Sequence, residues 1–451
     1  MTTRRTSRYR PLAGVLAAVA VAETGTAISA IAIPWLVLVT TGSAAWTGVV
    51  AACELAPYVV VKVFAGPVLD RIGPRVVSWS ADVASAAAVG LIPGLHALHL
   101  MPFWLLPPMV AVAGAARAPG DQAKELMIVE AAERSGVPLE RATGLVGVTA
   151  RLATTLGPAL GGALVAVFDP FTGLLADAGC FLLGSVVVTL VLPRDMGRAA
   201  VADGDPSGYW RRFHEGLSFL RGSPLMLTVI VVVGTTNLLD QAFGAVLLPV
   251  WAQRSGAGAA VLGIAGTVRG IAAVAGSLVA AATAHRMRRR LVFLVGFLIA
   301  GAPRFWVLAV HAPLWMVLVV FAACSVAAGF LNPILGAIQF ELVPQQLLGR
   351  VLALTESFAW AGIPLGGLVA GAAVTAVGLA PALVIAGAAY LVVTSVSGLR
   401  PEWREMDRLR GRRPGYAAVQ PGSRPDKPSS RSNDDAASGT ATRGPNGLPS
   451  P

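Results

Sequence analysis

Long apolar runs separated by short polar turns dominate this chain of 451 residues. A membrane-spanning helix needs about 20 mostly apolar residues. Twelve runs of that kind lie near residues 12–40, 45–67, 76–97, 102–122, 142–167, 171–192, 225–251, 259–281, 291–310, 314–338, 351–376 and 380–398. They are too long and too evenly apolar for the strands of a membrane β-barrel. Within lipid the backbone N–H and C=O groups must form hydrogen bonds inside the segment itself, which a helix provides. The pattern therefore predicts an all-α membrane protein with twelve transmembrane helices in two pseudo-symmetric six-helix bundles.

Polar segments divide the chain into five predicted parts. These are a cytoplasmic N-terminal arm at 1–11, a first six-helix bundle at 12–192, a cytoplasmic linker at 193–224, a second six-helix bundle at 225–398 and a tail at 399–451. Helical spacing of apolar residues within 209–221 predicts an amphipathic helix on the cytoplasmic membrane surface. The tail is rich in Arg, Ser, Gly, Asp and Pro, which predicts disorder.

An internal repeat supports the division into two halves. Val137-Pro138, Arg141 and the Gly-Pro-x-x-Gly-Gly sequence at 157–162 recur as Val343-Pro344, Arg350 and a similar glycine-rich sequence at 362–367. These segments occupy the fifth and eleventh runs, which are equivalent if six helices were duplicated. Two repeats around a shared central site are typical of transporters.

Composition fits the same reading, because 55% of the residues are hydrophobic, 13% are charged and the mean hydropathy is +0.69. The net charge of +11 comes from arginines that fall on alternate loops. The positive-inside rule then places both termini in the cytoplasm of a multi-pass plasma-membrane protein. The basic residues are explained by topology, so we expect no nucleic-acid partner.

Enzymatic chemistry is not expected. The three cysteines, Cys53, Cys180 and Cys324, fall in different runs without metal-ligand spacing, so neither a metal site nor a disulfide is predicted. The chain has no G-x-x-x-x-G-K-[ST] phosphate-binding loop, which argues against ATP hydrolysis. We therefore expect a protein without cofactors that draws its energy from an ion gradient.

The turn after the second run carries the most specific motif. Gly66, Asp70, Arg71, Gly73 and Arg75 follow the pattern G-x-x-x-D-R-x-G-x-R. The chain thereby resembles the major facilitator superfamily, which has this pattern between its second and third helices. The stretches 32–43, 114–119, 213–221 and 344–350 are most similar to its macrolide-efflux and enterobactin-type siderophore-exporter branch.

The resemblance implies a cytoplasmic latch that holds the outward-open state. Asp70 would meet the positive N-terminal end of the eleventh helix, close to Glu356. Gly66 would allow a close approach of a neighbour, and Gly73 a tight turn. A simple topological anchor is the alternative, because basic loops act as anchors in any case.

The fifth run carries a second motif. Ala153, Gly157, Pro158, Gly161 and Gly162 resemble the antiporter motif of the superfamily, with alanine in place of its first glycine. Small residues at four-residue intervals allow close helix packing in lipid. The resemblance implies a tight contact with the eighth helix that limits leak and favours export. Ordinary close packing is the alternative.

Charged residues in the middle of the runs are the best candidates for the transport site, because burying them in lipid costs energy. They are Glu23, Glu54, Arg151, Asp240 and Arg269, with Asn237 beside Asp240. The superfamily fold implies that Glu23 and Asp240 face the central cavity and that Glu54, Arg151 and Arg269 flank the interface of the halves. One carboxyl group is expected to exchange protons, although static ion pairs would also explain the charges.

Other membrane charges are weaker candidates. Lys62 and Asp82 are placed near cytoplasmic ends, Asp177 toward the outer end of its run, and Arg304 on a scaffold helix. Arg117 is placed near the cytoplasmic end of the fourth run. The arginine that many drug/proton antiporters have inside that helix would then be missing.

The sequence as a whole predicts a monomeric, proton-coupled exporter of an amphipathic small molecule such as a drug or antibiotic. Its partners would be that substrate, protons and membrane lipids. Export of a siderophore or another self-made metabolite is the first alternative. A proton-symport nutrient importer or a lipid-handling transporter is an alternative of another class.

Overall fold

The computed structural model describes residues 2–197, 214–215, 217–283, 287–331, 335, 342–343 and 347–399. These residues are helical or form short connections, and no strand occurs among them. The first half contains α1 (Thr2–Thr41), α2 (Ala44–Phe64), α3 (Gly66–Ile72), α4 (Pro74–Ala97), α5 (Leu106–Ser135), α6 (Leu139–Val167) and α7 (Pro170–Val191). The second contains α8 (Pro224–Ala242), α9 (Leu248–Arg254), α10 (Gly258–Thr283), α11 (Arg289–Ala300), α12 (Ala302–Ala309), α13 (Leu314–Ala328), α14 (Leu348–Ala361), α15 (Ile363–Val377) and α16 (Leu379–Leu399).

Ten helical segments are long and apolar enough to cross a membrane. The fourth predicted run is now part of α5, whose 30 residues include several charges. The tenth corresponds to α13, an apolar helix of 15 residues, and the described range that contains α13 ends at residue 331. The twelve-helix count therefore stays a prediction, whereas the all-helical membrane architecture is confirmed.

The linker and tail predictions fall mostly outside the described residues. Part of the predicted linker helix is described at 217–221. Leu220 is buried there in a cluster with Met226, Val343 and Val351. This end of the linker thus packs on protein, whereas 198–213, residue 216 and the tail beyond 399 lie outside the described residues.

Local signals in the sequence explain where several helices begin and end. The Ser43 side chain accepts a hydrogen bond from the Trp46 backbone N–H at 3.3 Å and caps α2. Asp169 caps α7 in the same way, accepting from the Thr172 N–H at 2.6 Å. Gly73 ends α3 with φ of +94°, a conformation that glycine adopts without strain. The predicted tight turn at Gly73 is present.

The two halves meet mainly through two helix pairs, α2 with α15 and α6 with α10. Small residues bring these backbones together. A Cβ atom added to Gly162 would lie 2.6 Å from the Gly263 Cα, and one added to Gly371 would lie 2.8 Å from the Ala44 carbonyl oxygen. Close approach of this kind is a general device for helix packing in membranes.

The small-residue face of α6 has a different partner from the one expected. Gly157 and Gly161 lie against Ala27 and Ile28 of α1. Contact with the eighth span, α10, comes from Pro158 and Gly162 on the adjacent face. The expected packing of the Ala153, Gly157 and Gly161 stripe on the eighth span is therefore wrong. Two neighbouring faces of one helix serve two different contacts.

The tight contacts lie on the side of the membrane opposite the start of α1. On that side Gln253 also donates a hydrogen bond from Nε2 to the Leu38 carbonyl oxygen at 3.0 Å. On the other side, called here the terminal side, Cβ atoms added to Gly144 and Gly147 of α6 would meet nothing within 4 Å. The halves are thus in close contact on one side, whereas on the terminal side these two positions of α6 have no neighbour and the Lys62 ammonium lies 5.1 Å from the centre of the Trp360 ring of the other half.

Gly66 lies on the terminal side, in the turn between α2 and α4. A Cβ atom there would also meet nothing within 4 Å, so the expected close approach at Gly66 is absent in this conformation.

Candidate functional site

A cavity of about 470 Å³ lies between α6 and helices of the second half. Its polar lining includes Thr154 of α6, Asn237 and Asp240 of α8, Arg269 of α10, Arg304 of α12 and Tyr390 of α16. Its volume falls within the range of small-molecule binding pockets, roughly 300–1,000 Å³. Three of the predicted site residues, Asn237, Asp240 and Arg269, therefore share one cavity.

Asp240 forms an ion pair with Arg304 across this cavity. The Arg304 side chain is only 10% exposed, whereas that of Asp240 is 45% exposed because it faces open space. Membrane-embedded charges are commonly paired in this manner. The expectation that Asp240 faces the cavity agrees with its position, and its partner was not foreseen.

Arg304 was expected on a scaffold helix, and this expectation is wrong. The ninth run is broken at Gly301 into α11 and α12. Gly301 packs directly on the Tyr390 ring, where a side chain would collide with it. The resulting bend places Arg304 among the cavity residues. A glycine inside an apolar run was the signal for such a break.

A π-helical turn at Phe243–Leu247 follows directly after α8. Such turns often mark functional sites in helices. The buried Phe243 ring lies 5.0 Å from the guanidinium carbon of Arg304 and 5.7 Å from that of Arg269. Two arginines therefore share one aromatic ring, an arrangement that favours positive charge at this wall of the cavity.

Asn237 has a structural contact as well as a place in the cavity wall. Its side-chain amide donates a hydrogen bond to the Ala359 carbonyl oxygen at 3.0 Å. Ala359 lies in the last turn of α14, just before the break between α14 and α15. The bond satisfies a carbonyl near a helix end and ties α8 to α14.

A second group of charges lies within the first half. It is called here the first-half charge network and consists of Glu23, Glu54, Asp82, Arg117, Asp121, Lys124 and Asp177. Arg117 lies 3.6 Å from Glu54 and 3.6 Å from Asp121, and its guanidinium carbon lies 4.6 Å from the centre of the Tyr58 ring. The Tyr58 hydroxyl donates to Asp121 at 3.3 Å.

Arg117 is not near the end of its helix, so the sequence-based placement was wrong. It is eleven positions beyond Leu106, the first residue of α5. At 1.5 Å per residue that is roughly 16 Å along the axis, about half the thickness of the hydrocarbon core. The predicted run ended near residue 122, whereas α5 continues to Ser135. The chain does have an interior arginine in its fourth span.

The most deeply buried part of the network is an ion pair. Lys124 Nζ lies 2.7 Å from Asp82 Oδ1, and the two side chains are 3% and 2% exposed. Lys124 also lies 3.7 Å from Asp121. Asp177, likewise almost fully buried, accepts a hydrogen bond from Ser29. The sequence placed Asp82 and Asp177 toward the ends of their spans and missed these partners.

Glu23 and Arg151 have no ion-pair partner among the residues that the structure describes. Glu23 is half-buried on α1, near the charges of Asp121 and Arg117. Arg151 is exposed on α6, three residues before the cavity residue Thr154. The structure therefore does not place Arg151 in an ion pair at the interface.

The residues of the predicted latch are on the terminal side. Asp70 and Arg71 are exposed, as is Glu356 on α14. Arg75 donates a hydrogen bond to the Thr189 carbonyl oxygen at 2.8 Å, which ties the start of α4 to α7. No contact between Asp70 and Glu356 occurs in the described structure. The latch concerns the opposite conformational state and stays a prediction.

Two helical bundles that pack closely on one side and have a charged cavity between them define a secondary transporter with the major facilitator fold. The chain belongs to the transmembrane secretion effector family, whose sequence profile matches residues 8–413. Among its relatives is the multidrug efflux pump Tap of Mycobacterium tuberculosis (strain ATCC 25618 / H37Rv), 31% identical over 414 residues, which cover 89% of this chain and 96% of the relative. The multidrug efflux pump Tap of Mycolicibacterium fortuitum is 28% identical over 406 residues, or 88% and 97% of the two chains.

Solved structures agree on the fold. The nucleoside transporter NupG matches with a TM-score of 0.68 at 12% identity, covering 88% of this chain and 98% of its own. A bacterial homologue of the human lysosomal transporter Spinster, inward-facing and unoccupied, matches with a TM-score of 0.66 at 12% identity, covering 89% and 97%. At such low identity these matches show the fold alone.

Proposed function

We propose that this protein exports amphipathic small molecules, drugs or antibiotics among them, by alternating access in exchange for protons. The observation that carries the proposal is the charged and aromatic cavity between two halves that are closed on one side. Relatives named multidrug efflux pumps, aligned over nearly their whole length, support the direction and the type of substrate.

Proton exchange is assigned to the first-half charge network. Its five carboxyl groups are accompanied by two bases, Arg117 and Lys124. Closely spaced carboxylates in a medium of low dielectric constant cannot all stay ionised. The network is therefore proposed to take up protons. Glu23 and Asp177 are its members without an ion-pair base in the described structure, and of the two Asp177 accepts a hydrogen bond from Ser29.

The proposal includes the orientation of the protein in the plasma membrane. Both termini lie in the cytoplasm, because the basic loops are on the terminal side. With this orientation, the close packing of the halves lies on the outer side, and we propose that substrate enters the cavity from the cytoplasm. The protein works as a monomer in the plasma membrane, with lipids around it and the proton gradient as its energy source.

Two measurements test this function. Susceptibility of a deletion strain and an overexpressing strain to a broad compound panel identifies exported compounds. Proton flux on addition of an exported compound is then recorded in proteoliposomes for the parent and for Glu23→Gln, Glu54→Gln and Asp240→Asn. Glu133→Gln is the control, because Glu133 is exposed near the end of α5.

We expect Glu23→Gln to abolish transport driven by a pH gradient while exchange of substrate survives, because only the titrating group is removed. Glu133→Gln should behave like the parent. Unchanged proton flux in all three interior variants would place the coupling site elsewhere. A parent that moves substrate without protons would refute the antiport mechanism.

A further inference from the structure

We propose that the central cavity contains an anion subsite centred on Arg269. The exported compounds would then carry a carboxylate, sulfonate or phosphate group attached to an apolar ring system. This inference rests on the proposed function and specifies the substrate class of the same cavity.

The charge balance of the cavity is the first argument. Among its described lining residues are two guanidinium groups, Arg269 and Arg304, and one carboxylate, Asp240. Arg304 takes up that carboxylate in its ion pair. Arg269 is left without a carboxylate partner in the described part of the chain, so the wall carries one uncompensated positive charge. A ligand anion would balance it.

The position of Arg269 is the second argument. It lies eleven residues beyond Gly258, the first residue of α10, which is roughly 16 Å along the helix axis and close to the middle of the membrane. A cation at this depth costs several kcal/mol unless it is paired or solvated. The Phe243 ring, 5.7 Å away, offers only a weak partner.

Hydrogen-bonding capacity is the third argument. A guanidinium group has five N–H donors in a fork that matches a carboxylate or phosphate. None of these donors is engaged by a residue that the structure describes, and Arg269 lines the cavity. Phe297, Phe321 and Tyr390 supply the apolar surface beside it. An aromatic or alicyclic acid fits both features.

The opposite reading is a cavity that selects cations through Asp240, which is 45% exposed. The Asp240–Arg304 pair argues against it, because the carboxylate is already neutralised by a largely buried guanidinium group. Carboxyl groups outnumber bases instead in the first-half charge network, on α1, α2, α4, α5 and α7. Protons and the substrate anion would thus bind in different halves.

Two dyes that share one ring system provide the test. Rhodamine 110 has a free carboxylate, and rhodamine 123 is its methyl ester, so the pair differs by one negative charge. Binding of each dye to the purified full-length protein in nanodiscs is measured by fluorescence anisotropy. We expect rhodamine 110 to bind about tenfold more tightly than the ester, as one charge-assisted contact in a cavity predicts.

Substitutions test whether Arg269 causes the preference for the dye with the free carboxylate. Arg269→Gln should bring the two affinities to within about twofold, and Arg269→Lys should keep most of the preference because the charge remains. Asp240→Asn should strengthen the preference for rhodamine 110, because Arg304 then loses its carboxylate partner and becomes a second unpaired cation in the cavity. Arg254→Gln is the matched control, at the exposed end of α9 outside the cavity. Thermal unfolding checks that each variant is folded.

The outcomes separate the two proposals. Equal binding of both dyes by the parent, or tighter binding of the ester, overturns the anion subsite even if Arg269→Gln does not fold. A preference that survives in folded Arg269→Gln overturns it as well. If the parent neither binds nor transports either dye and confers no resistance in the compound panel, the proposed efflux function fails and this inference fails with it.

Discussion

Removing Lys124 should destabilise the protein far more than removing its partner Asp82. The two charges lie 2.7 Å apart and are almost completely buried. Their attraction at an effective dielectric constant of about 20 is about 6 kcal/mol. Breaking a buried pair by deleting one partner typically costs about 3–5 kcal/mol, because the remaining charge is left uncompensated.

The surroundings make the two deletions unequal. Lys124→Met leaves both Asp82 and Asp121 without their lysine, and we expect it to lose about 3–5 kcal/mol. Asp82→Asn keeps Lys124 near Asp121, 3.7 Å away, and replaces a carboxylate by an amide of the same shape. Its loss should be about 1–2 kcal/mol. The double variant should recover much of what Lys124→Met loses.

The free energy of unfolding is measured by SDS titration in mixed micelles for both single variants and the double variant. Lys62→Met is the control, because its partner Glu125 is 61% exposed and lies 3.3 Å away. An exposed pair of this kind contributes about 0–1 kcal/mol. The reasoning is refuted if Lys124→Met loses no more than Lys62→Met, or if Asp82→Asn loses as much as Lys124→Met.

Two further predictions concern the close contact between the halves and the predicted latch. Gly162→Leu should abolish efflux without unfolding the protein, because the new Cβ would lie 2.6 Å from the Gly263 Cα and force α6 away from α10. Gly144→Leu is the control and should transport normally, because a Cβ there meets nothing within 4 Å. The reverse ranking of the two variants in dye-efflux assays would contradict the packing argument. Asp70→Asn should slow efflux about two- to fivefold at normal protein levels, since a charge at a helix N-terminus contributes about 0.5–1 kcal/mol; an unchanged rate would exclude the latch.

The sequence by itself determined the class of the protein. Lipid forces long apolar runs into helices, so the membrane architecture could be read directly from hydropathy. The charged turn from Gly66 to Arg75 is a local motif, and the family that it indicated is confirmed by the profile match over residues 8–413. Gly73 could be assigned to a turn because its constraint is also local.

Only the tertiary structure decided which charges meet. Asp240 and Arg304 are 64 residues apart in the chain and become partners because Gly301 breaks the ninth run against the Tyr390 ring. Arg117 was placed at the wrong depth because the predicted run ended near residue 122, whereas the polar residues around that end, Asp121 and Lys124, are half-buried and buried within α5. Hydropathy records how apolar each segment is, whereas the partner that makes a buried charge tolerable lies on another helix. That partner is fixed only when the helices pack.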